Sequence, residues 1–133
     1  MTKQNTAKKE TQEPGLIMCV CNGNCPAFDK LDTYEFINRA REEFPVDHVV
    51  IHPQLCAEDG ERFMIDYLKG KQKVTVAGCA PNMQQKMFRD AFETAGIDME
   101  KNLVSVDIRG ITTDEALEKV RIAVEQLASR GNE

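Results

Sequence analysis

Short apolar segments alternate along this chain with amphipathic segments of helical length, and this alternation limits the possible folds more than any other feature. Each apolar segment has the length and continuous hydrophobicity of a buried strand. Strands that alternate with helices and are joined by short loops indicate a parallel sheet covered by helices. The predicted strands are 16–21, 48–52, 73–77 and 103–106.

Four helices are predicted from apolar side chains that recur every three or four residues. Asp32 is placed to cap the first helix, with Glu35 reaching back to it, and Pro45 ends that helix. The other three are predicted over 61–69, from Asn82 to just before Gly96, and from Thr112 or Thr113 to residue 127.

These elements predict an α/β fold. We expect a single three-layer domain with a four-stranded, mainly parallel sheet and helices on both faces, either flavodoxin-like or Rossmann-like. A chain of 133 residues fits one such domain and can bury its core without disulfides. Residues 1–15 are polar and end in Pro14-Gly15, so we predict a flexible N-terminal tail followed by the folded domain over 16–130.

Composition limits the cellular compartment and the classes of partner that we expect. The net charge is −5 with basic residues scattered among acidic ones, which argues against nucleic acid as a partner. The sequence shows neither a signal peptide nor an apolar run of membrane-spanning length, so we expect a cytoplasmic protein with no membrane partner. In a reducing compartment, clustered cysteines are more often metal ligands or redox groups than structural disulfides.

All five cysteines follow predicted strands, at or beyond the carboxyl end of each. Cys19 and Cys21 end the first strand, Cys25 follows in its loop, Cys56 follows the second strand and Cys79 follows the third. The carboxyl ends of parallel strands meet at one edge of the sheet, where α/β proteins bind their ligands. We therefore predict that these cysteines converge on one cofactor or metal site.

Several chemistries suit such a set of thiols. Four thiolates around a soft metal centre are typical of an iron–sulfur cluster, which we favour. A structural zinc ion also takes thiolates, although its ligands usually come in close pairs on both sides of the site. Cys79 directly precedes a helix whose positive end should favour its thiolate, so a thiol-active protein that transfers sulfur or exchanges disulfides is a further alternative.

Two other residues lie near the same edge. His52 ends the second strand and is either an additional metal ligand or, more commonly for such a residue, hydrogen-bonded scaffolding. Arg109 follows the fourth strand with Asp107, and it either offsets the negative charge of a thiolate cluster or forms a surface salt bridge.

The order of these motifs resembles the N-terminal iron–sulfur domain of the A-type subunit of heterodisulfide reductase. The likeness covers roughly residues 16 to 110 and includes Cys-x-Cys at the first strand end and a lone cysteine after the second strand. It continues through Val-Thr-Val-Ala-Gly-Cys-Ala-Pro-Asn-Met at 74–83 and Phe-Arg-Asp-Ala-Phe-Glu-Thr-Ala-Gly-Ile at 88–97. The family has Cys-Ser-Pro-Arg-Met at the first of these segments, so Asn82 departs from its pattern.

This resemblance implies a 4Fe–4S cluster with Cys19, Cys21, Cys56 and Cys79 as ligands. The segment Cys-Asn-Gly-Asn-Cys at 21–25 is also similar to a motif in the delta subunit of methyl-viologen-reducing hydrogenase. That second likeness implies a 2Fe–2S cluster with Cys25 as a ligand in place of Cys19. The two ligand sets remain open at this point.

The family further implies an electron-transfer subunit of an oxidoreductase complex, with flavin or iron–sulfur proteins as partners, in an anaerobic or sulfur-metabolising microbe. The chain lacks the Gly-x-Gly-x-x-Gly fingerprint and the Cys-x-x-Cys-x-x-Cys run that the full reductase subunit carries. We therefore expect a module that moves electrons rather than one that transforms a substrate itself.

Overall fold

The structure, a computed structural model, describes residues 13–20, 28–71 and 73–130. Its strands and helices alternate along the chain, as the apolar pattern predicts. The strands are β1 (Gly15–Cys19), β2 (Val49–His52), β3 (Val74–Gly78) and β4 (Leu103–Asp107). The helices are α1 (Thr33–Glu43), α2 (Glu58–Gly70), α3 (Pro81–Ala95), α4 (Met99–Asn102) and α5 (Thr113–Arg130).

The four strands form one sheet in the order β2–β1–β3–β4, and every neighbouring pair is parallel. The chain runs outward from β1 to β2, then crosses back to place β3 on the other side of β1. The strand order therefore reverses between β1 and β3, which is the point where open α/β sheets form their binding crevice. Residues that follow these two strands lie side by side at that crevice.

Helices cover both faces of the sheet and confirm the predicted three-layer α/β fold. Leu16 and Met18 of β1 pack in a core with α1 and α5, whereas Ile17 packs in a second core with α2 and α3. This alternation follows from the strand geometry, in which successive side chains point to opposite faces. Both faces of the central strands are buried, which explains why β1 and β3 are mostly apolar, with Thr75 as the one buried polar residue of β3.

Helix ends follow the predicted capping signals only in part. Asp32 Oδ1 accepts a hydrogen bond from the Glu35 backbone N–H at 3.0 Å, as expected of a cap. Glu35 does not complete the box, because the Asp32 N–H donates instead to Thr113 Oγ1 at 2.8 Å. That bond ties the start of α1 to the start of α5. The full capping box belongs to α5, where Thr112 and Glu115 exchange two hydrogen bonds.

The remaining differences from prediction are element ends and one additional short helix, and β1, predicted over 16–21, ends at Cys19. Helix α2 begins at Glu58, three residues before the predicted start, and the short helix α4 was not predicted. Helix α3 begins at Pro81 rather than Asn82. Residues 1–12 of the predicted tail lie outside the described part of the chain, and β1 begins at Gly15. Within the described residues, no helix combines the length and the apolar character needed to cross a membrane.

Candidate functional site

Three cysteines from three different strand ends line one pocket at the carboxyl edge of the sheet. Cys19 is the last residue of β1, Cys79 directly follows β3, and Cys56 lies in the loop between β2 and α2. The two other predicted site residues, Cys21 and Cys25, lie outside the described residues. The remaining pocket lining is mostly apolar and consists of Phe28, Leu55, Val76, Gly78, Gln84 and Met87.

The pocket is small and open on one side. It holds about 330 Å³ of empty space, its open mouth included. A compact group suits it better than a flavin or a nucleotide would.

Gly78 allows β1 and β3 to approach closely between two of the cysteines. A Cβ placed on Gly78 would lie 3.3 Å from the Cys19 Cβ, which is tighter than an ordinary van der Waals contact. Any larger side chain here would therefore push Cys19 away from its position. The glycine keeps the end of β1 close to Cys79.

Two of the cysteine sulfurs accept hydrogen bonds from the loop between β2 and α2. The Leu55 backbone N–H donates to Cys19 Sγ with an N–S distance of 3.3 Å. The Gln54 side-chain amide donates to Cys56 Sγ at 3.5 Å. A neutral thiol is only a weak acceptor, whereas a thiolate or a metal-bound sulfur is a better one. These donors suit sulfurs that carry negative charge.

His52 is scaffolding for this loop rather than a free ligand. Its Nδ1 accepts a hydrogen bond from the Gln54 backbone N–H at 3.0 Å. The ring proton is therefore on Nε2, which lies 3.0 Å from Asp59 Oδ2 and donates to it. Both ring nitrogens are engaged, and the side chain is only 7% exposed. Of the two roles considered for His52, the structure supports scaffolding.

Cys79 is in an environment that favours the neutral thiol. Burial raises the pKa of the Cys79 thiol, and the neighbouring sulfur of Cys19 raises it further. Arg109 lowers this pKa, but more weakly. Desolvation therefore outweighs the interactions that lower this pKa.

Gln84 is a buried polar residue that sequence reasoning missed. It is only 1% exposed, and its Nε2 donates to the Cys79 carbonyl at 2.8 Å and to the Val106 carbonyl at 3.4 Å. Its Oε1 is buried and has no hydrogen-bond partner among the described residues. The signal was present in the sequence, because Gln84 lies one turn before Phe88 on the apolar face of α3.

Arg109 forms a salt bridge at the carboxyl end of β4, the outer strand next to β3. Its Nη2 lies 2.8 Å from Asp107 Oδ2, and its Nε lies 2.9 Å from Asp107 Oδ1. Hydrogen bonding from Arg109 lowers the pKa of the Asp107 carboxyl. The pair is partly exposed, so the structure supports the salt bridge rather than a guanidinium directed only at the cysteines.

The described cysteines share a pocket but do not form a site for a single metal ion. In the part of the chain that the structure describes, no group of three His, Cys, Asp or Glu side chains is gathered closely enough to hold a metal ion. Cys19, Cys56 and Cys79 nevertheless line the same pocket.

Comparison with known proteins gives a distant similarity. No protein-family model matches the chain. The chain is 26% identical over 91 residues to an iron-sulfur subunit of the CoB--CoM heterodisulfide reductase of Methanopyrus kandleri, the first of the A type. The match covers 67% of this chain but only 13% of the length of that relative. This level of identity supports a distant relation to an iron–sulfur subunit.

Proposed function

We propose that this chain is an iron–sulfur electron-transfer module whose cluster lies in the pocket at the carboxyl edge of the sheet. The observation that carries the proposal is the convergence of Cys19, Cys56 and Cys79 from three separate strand ends. Cysteines that only fill a core have no reason to meet at the one edge where α/β sheets bind ligands. The distant similarity to an iron–sulfur subunit points in the same direction.

A 4Fe–4S cluster with Cys19, Cys21, Cys56 and Cys79 as ligands is the form we favour. The Leu55 N–H directed at Cys19 Sγ supports Cys19 as a ligand, since amide donors commonly surround cluster sulfurs. The alternative is a 2Fe–2S cluster in which Cys25 replaces Cys19. We therefore give Cys25 the role of an additional cysteine near the cluster.

The residues present fit such a group. The pocket offers sulfur donors, apolar walls that exclude water, and amide donors directed at two of the sulfurs. When bound, an iron–sulfur cluster accepts and releases single electrons without moving protein atoms far. Cys56 is exposed, so one side of the site reaches the protein surface, where an electron can be passed to another protein.

The two alternative functions have less support from the pocket. A nucleophilic Cys79 requires a thiolate, whereas burial raises the pKa of this thiol. A structural zinc ion requires its ligands gathered around one point, and no such group of three His, Cys, Asp or Glu side chains occurs among the described residues.

We further propose that the chain works with other subunits of a redox complex, such as flavin or iron–sulfur proteins, in an anaerobic organism. The relative in Methanopyrus kandleri is named as one subunit of a heterodisulfide reductase. A domain with one cluster must receive and deliver electrons at its surface, which requires protein partners. We assign no substrate chemistry to the chain itself.

The deciding experiment is anaerobic purification followed by a visible spectrum and by iron and acid-labile sulfide analysis. We expect a brown protein that dithionite bleaches, with equal amounts of iron and sulfide. A protein that stays colourless after anaerobic reconstitution would overturn the proposal.

Two single variants then separate the ligand sets. If the 4Fe–4S assignment holds, Cys19→Ser loses the cluster and Cys25→Ser keeps it. If the 2Fe–2S assignment holds, the result is reversed. Each variant serves as the matched control for the other, because both remove one thiol from the same stretch of sequence.

A further inference from the structure

The loop of residues 53–57, between β2 and α2, lies against two of the candidate ligands and directs N–H groups at their sulfurs. We propose that this loop sets the reduction potential of the cluster, with Gln54 as the side chain that tunes it. The inference rests on the proposed function, because a potential exists only if the cluster does. It assigns the loop a role that the ligands alone do not explain.

The first donor is fixed by the core. Leu55 is 2% exposed and packs in the core between the sheet and α2. Its side chain therefore anchors the backbone, and the anchored backbone holds the Leu55 N–H 3.3 Å from Cys19 Sγ. This bond joins the β2–α2 loop to the end of β1.

The second donor is a side chain on a fixed backbone. The Gln54 N–H donates to His52 Nδ1 at 3.0 Å, and the Gln54 carbonyl accepts from the Ala57 N–H at 3.2 Å. With its backbone held on both sides, the half-buried Gln54 extends its amide to Cys56 Sγ at 3.5 Å. Replacing the side chain leaves these two backbone bonds in place.

The loop is also held against the first turn of α2. A Cβ on Gly60 would lie 1.9 Å from the Leu55 carbonyl oxygen, so only glycine permits this contact. Asp59 accepts the Nε2 proton of His52 in the same turn. The donors are therefore in place before any cluster binds, and no reorganisation is needed to present them.

Hydrogen bonds to ligand sulfur favour the reduced state of a cluster. Reduction adds negative charge that is shared with the sulfurs, and a nearby N–H stabilises that charge. Removing a donor therefore makes the cluster harder to reduce. Gln54 is a positioning and tuning residue in this sense, since it acts on the cluster through the sulfur of Cys56.

The test is a redox titration of the anaerobically purified full chain, followed by visible absorbance. Gln54→Leu removes the N–H donor and keeps a similar volume, so we expect its midpoint potential to be more negative than that of the wild-type protein. Gln54→Glu also removes the donor and adds negative charge, so its potential should be lower still. Gln85→Leu, an exposed glutamine on α3, is the matched control and should leave the potential unchanged.

A second measurement detects the N–H donors to the ligand sulfurs directly. Exchange into D₂O should shift the Fe–S stretching bands in the resonance Raman spectrum, because deuterium replaces the amide protons that bond to sulfur. In Gln54→Leu the shift should be reduced but not lost, since the Leu55 N–H remains. Gln85→Leu should show the full shift.

The outcomes separate this inference from the function on which it rests. A wild-type protein that binds no cluster would overturn both. Coloured proteins with equal midpoint potentials in the wild type, Gln54→Leu and Gln54→Glu would overturn the tuning role alone. Failure of both Gln54 variants to load a cluster, while Gln85→Leu loads normally, would make Gln54 a requirement for assembly and would also overturn the tuning role.

Discussion

The Gln84 side chain connects the carboxyl ends of β3 and β4 on one side of the pocket. Its amide donates to the carbonyl of Cys79, after β3, and to that of Val106, in β4. Both acceptors are carbonyl oxygens, so the amide orientation is determined by its partners and Oε1 must face away from them. The residue thus fixes the backbone that presents Cys79.

Replacing this amide by a carboxylate should destabilise the fold. In Gln84→Glu a buried carboxylate would face two carbonyl oxygens, which we expect to lower the free energy of unfolding by about 3–5 kcal/mol at neutral pH. The measurement is urea unfolding of the cluster-free, reduced protein. The control is Gln85→Glu on the exposed face of α3, which should change stability by less than about 0.5 kcal/mol. Equal effects at the two positions would contradict the role given to Gln84.

His48 lies at the amino-terminal edge of the sheet, opposite the pocket. It should make the stability of the protein depend on pH. Its ring lies 2.8 Å from the Tyr67 hydroxyl, and burial lowers the pKa of His48 below 6.5. The unfolded state therefore binds more protons than the folded state as pH falls below 6.5, so the folded state loses stability over that interval. Below the folded-state pKa the loss is complete.

The measurement is the free energy of unfolding, by urea, at several pH values on both sides of this interval. We expect the pH dependence to be weaker in His48→Gln by up to one proton per molecule. His52 is present in both proteins, so its contribution cancels in the comparison. Identical slopes for the two proteins would contradict the role assigned to His48.

At the scale of whole elements, the loop after β2 and the first turn of α2 act as one unit. The apolar pattern of α2 starts at residue 61, and the acidic residues Glu58 and Asp59 before it are interpreted from the sequence as the polar start of the helix, as the structure has them. Gly60 is helical as well, and it is required where the helix meets the Leu55 carbonyl. Tertiary contact, rather than helix propensity, sets this helix start.

Two glycines of α2 should therefore respond in opposite ways to the same substitution. In Gly60→Ala the new Cβ would collide with the Leu55 backbone, so we expect a loss of about 2–3 kcal/mol in the free energy of unfolding. In Gly70→Ala nothing lies within 4 Å of the new Cβ, so stability should be unchanged or rise by up to about 1 kcal/mol. Chemical denaturation of both variants checks this, and a neutral Gly60→Ala would show that the loop is free to move.

The sequence was informative about elements and less so about the contacts between them. Apolar periodicity predicted the four strands, the layers and the edge where the cysteines emerge, since burial leaves a direct pattern in the sequence. It did not predict that the Leu55 N–H and the Gln54 side-chain amide would face sulfur, because the atom that a donor meets depends on the folded path of the loop. Nor did it predict the raised pKa of Cys79, which depends on how deeply the folded chain buries that thiol.

At the scale of the whole molecule, the site belongs to the sheet rather than to any one segment. Cys19 ends β1 and Cys79 follows β3, the two adjacent central strands, while Cys56 lies in the loop that follows the edge strand β2. A cluster that binds all three cysteines can form only in the folded state, because the three residues are far apart in the unfolded chain. Binding should therefore raise the stability of the entire domain.

The melting temperature should report this linkage. We expect the cluster-loaded protein to melt roughly 10 °C above the cluster-free protein, the size of effect for a group bound well above its dissociation constant. Calorimetry under anaerobic conditions, before and after removal of iron with a chelator, gives the comparison. Cys79→Ser supplies the control, since it should melt at the same temperature with and without the chelator. Equal melting temperatures for loaded and stripped wild-type protein would contradict this linkage.

The pairing of β3 with β1, rather than with β2, has a consequence for the order of events during synthesis. Cys19 and Cys56 emerge from the ribosome before Cys79, but the first two strands alone present an open half of the pocket. Only when β3 has been made and inserted beside β1 does Cys79 join them. A group that needs all three sulfurs can therefore bind only after β3 has been synthesised and inserted. Its binding then indicates that β3 is in place beside β1.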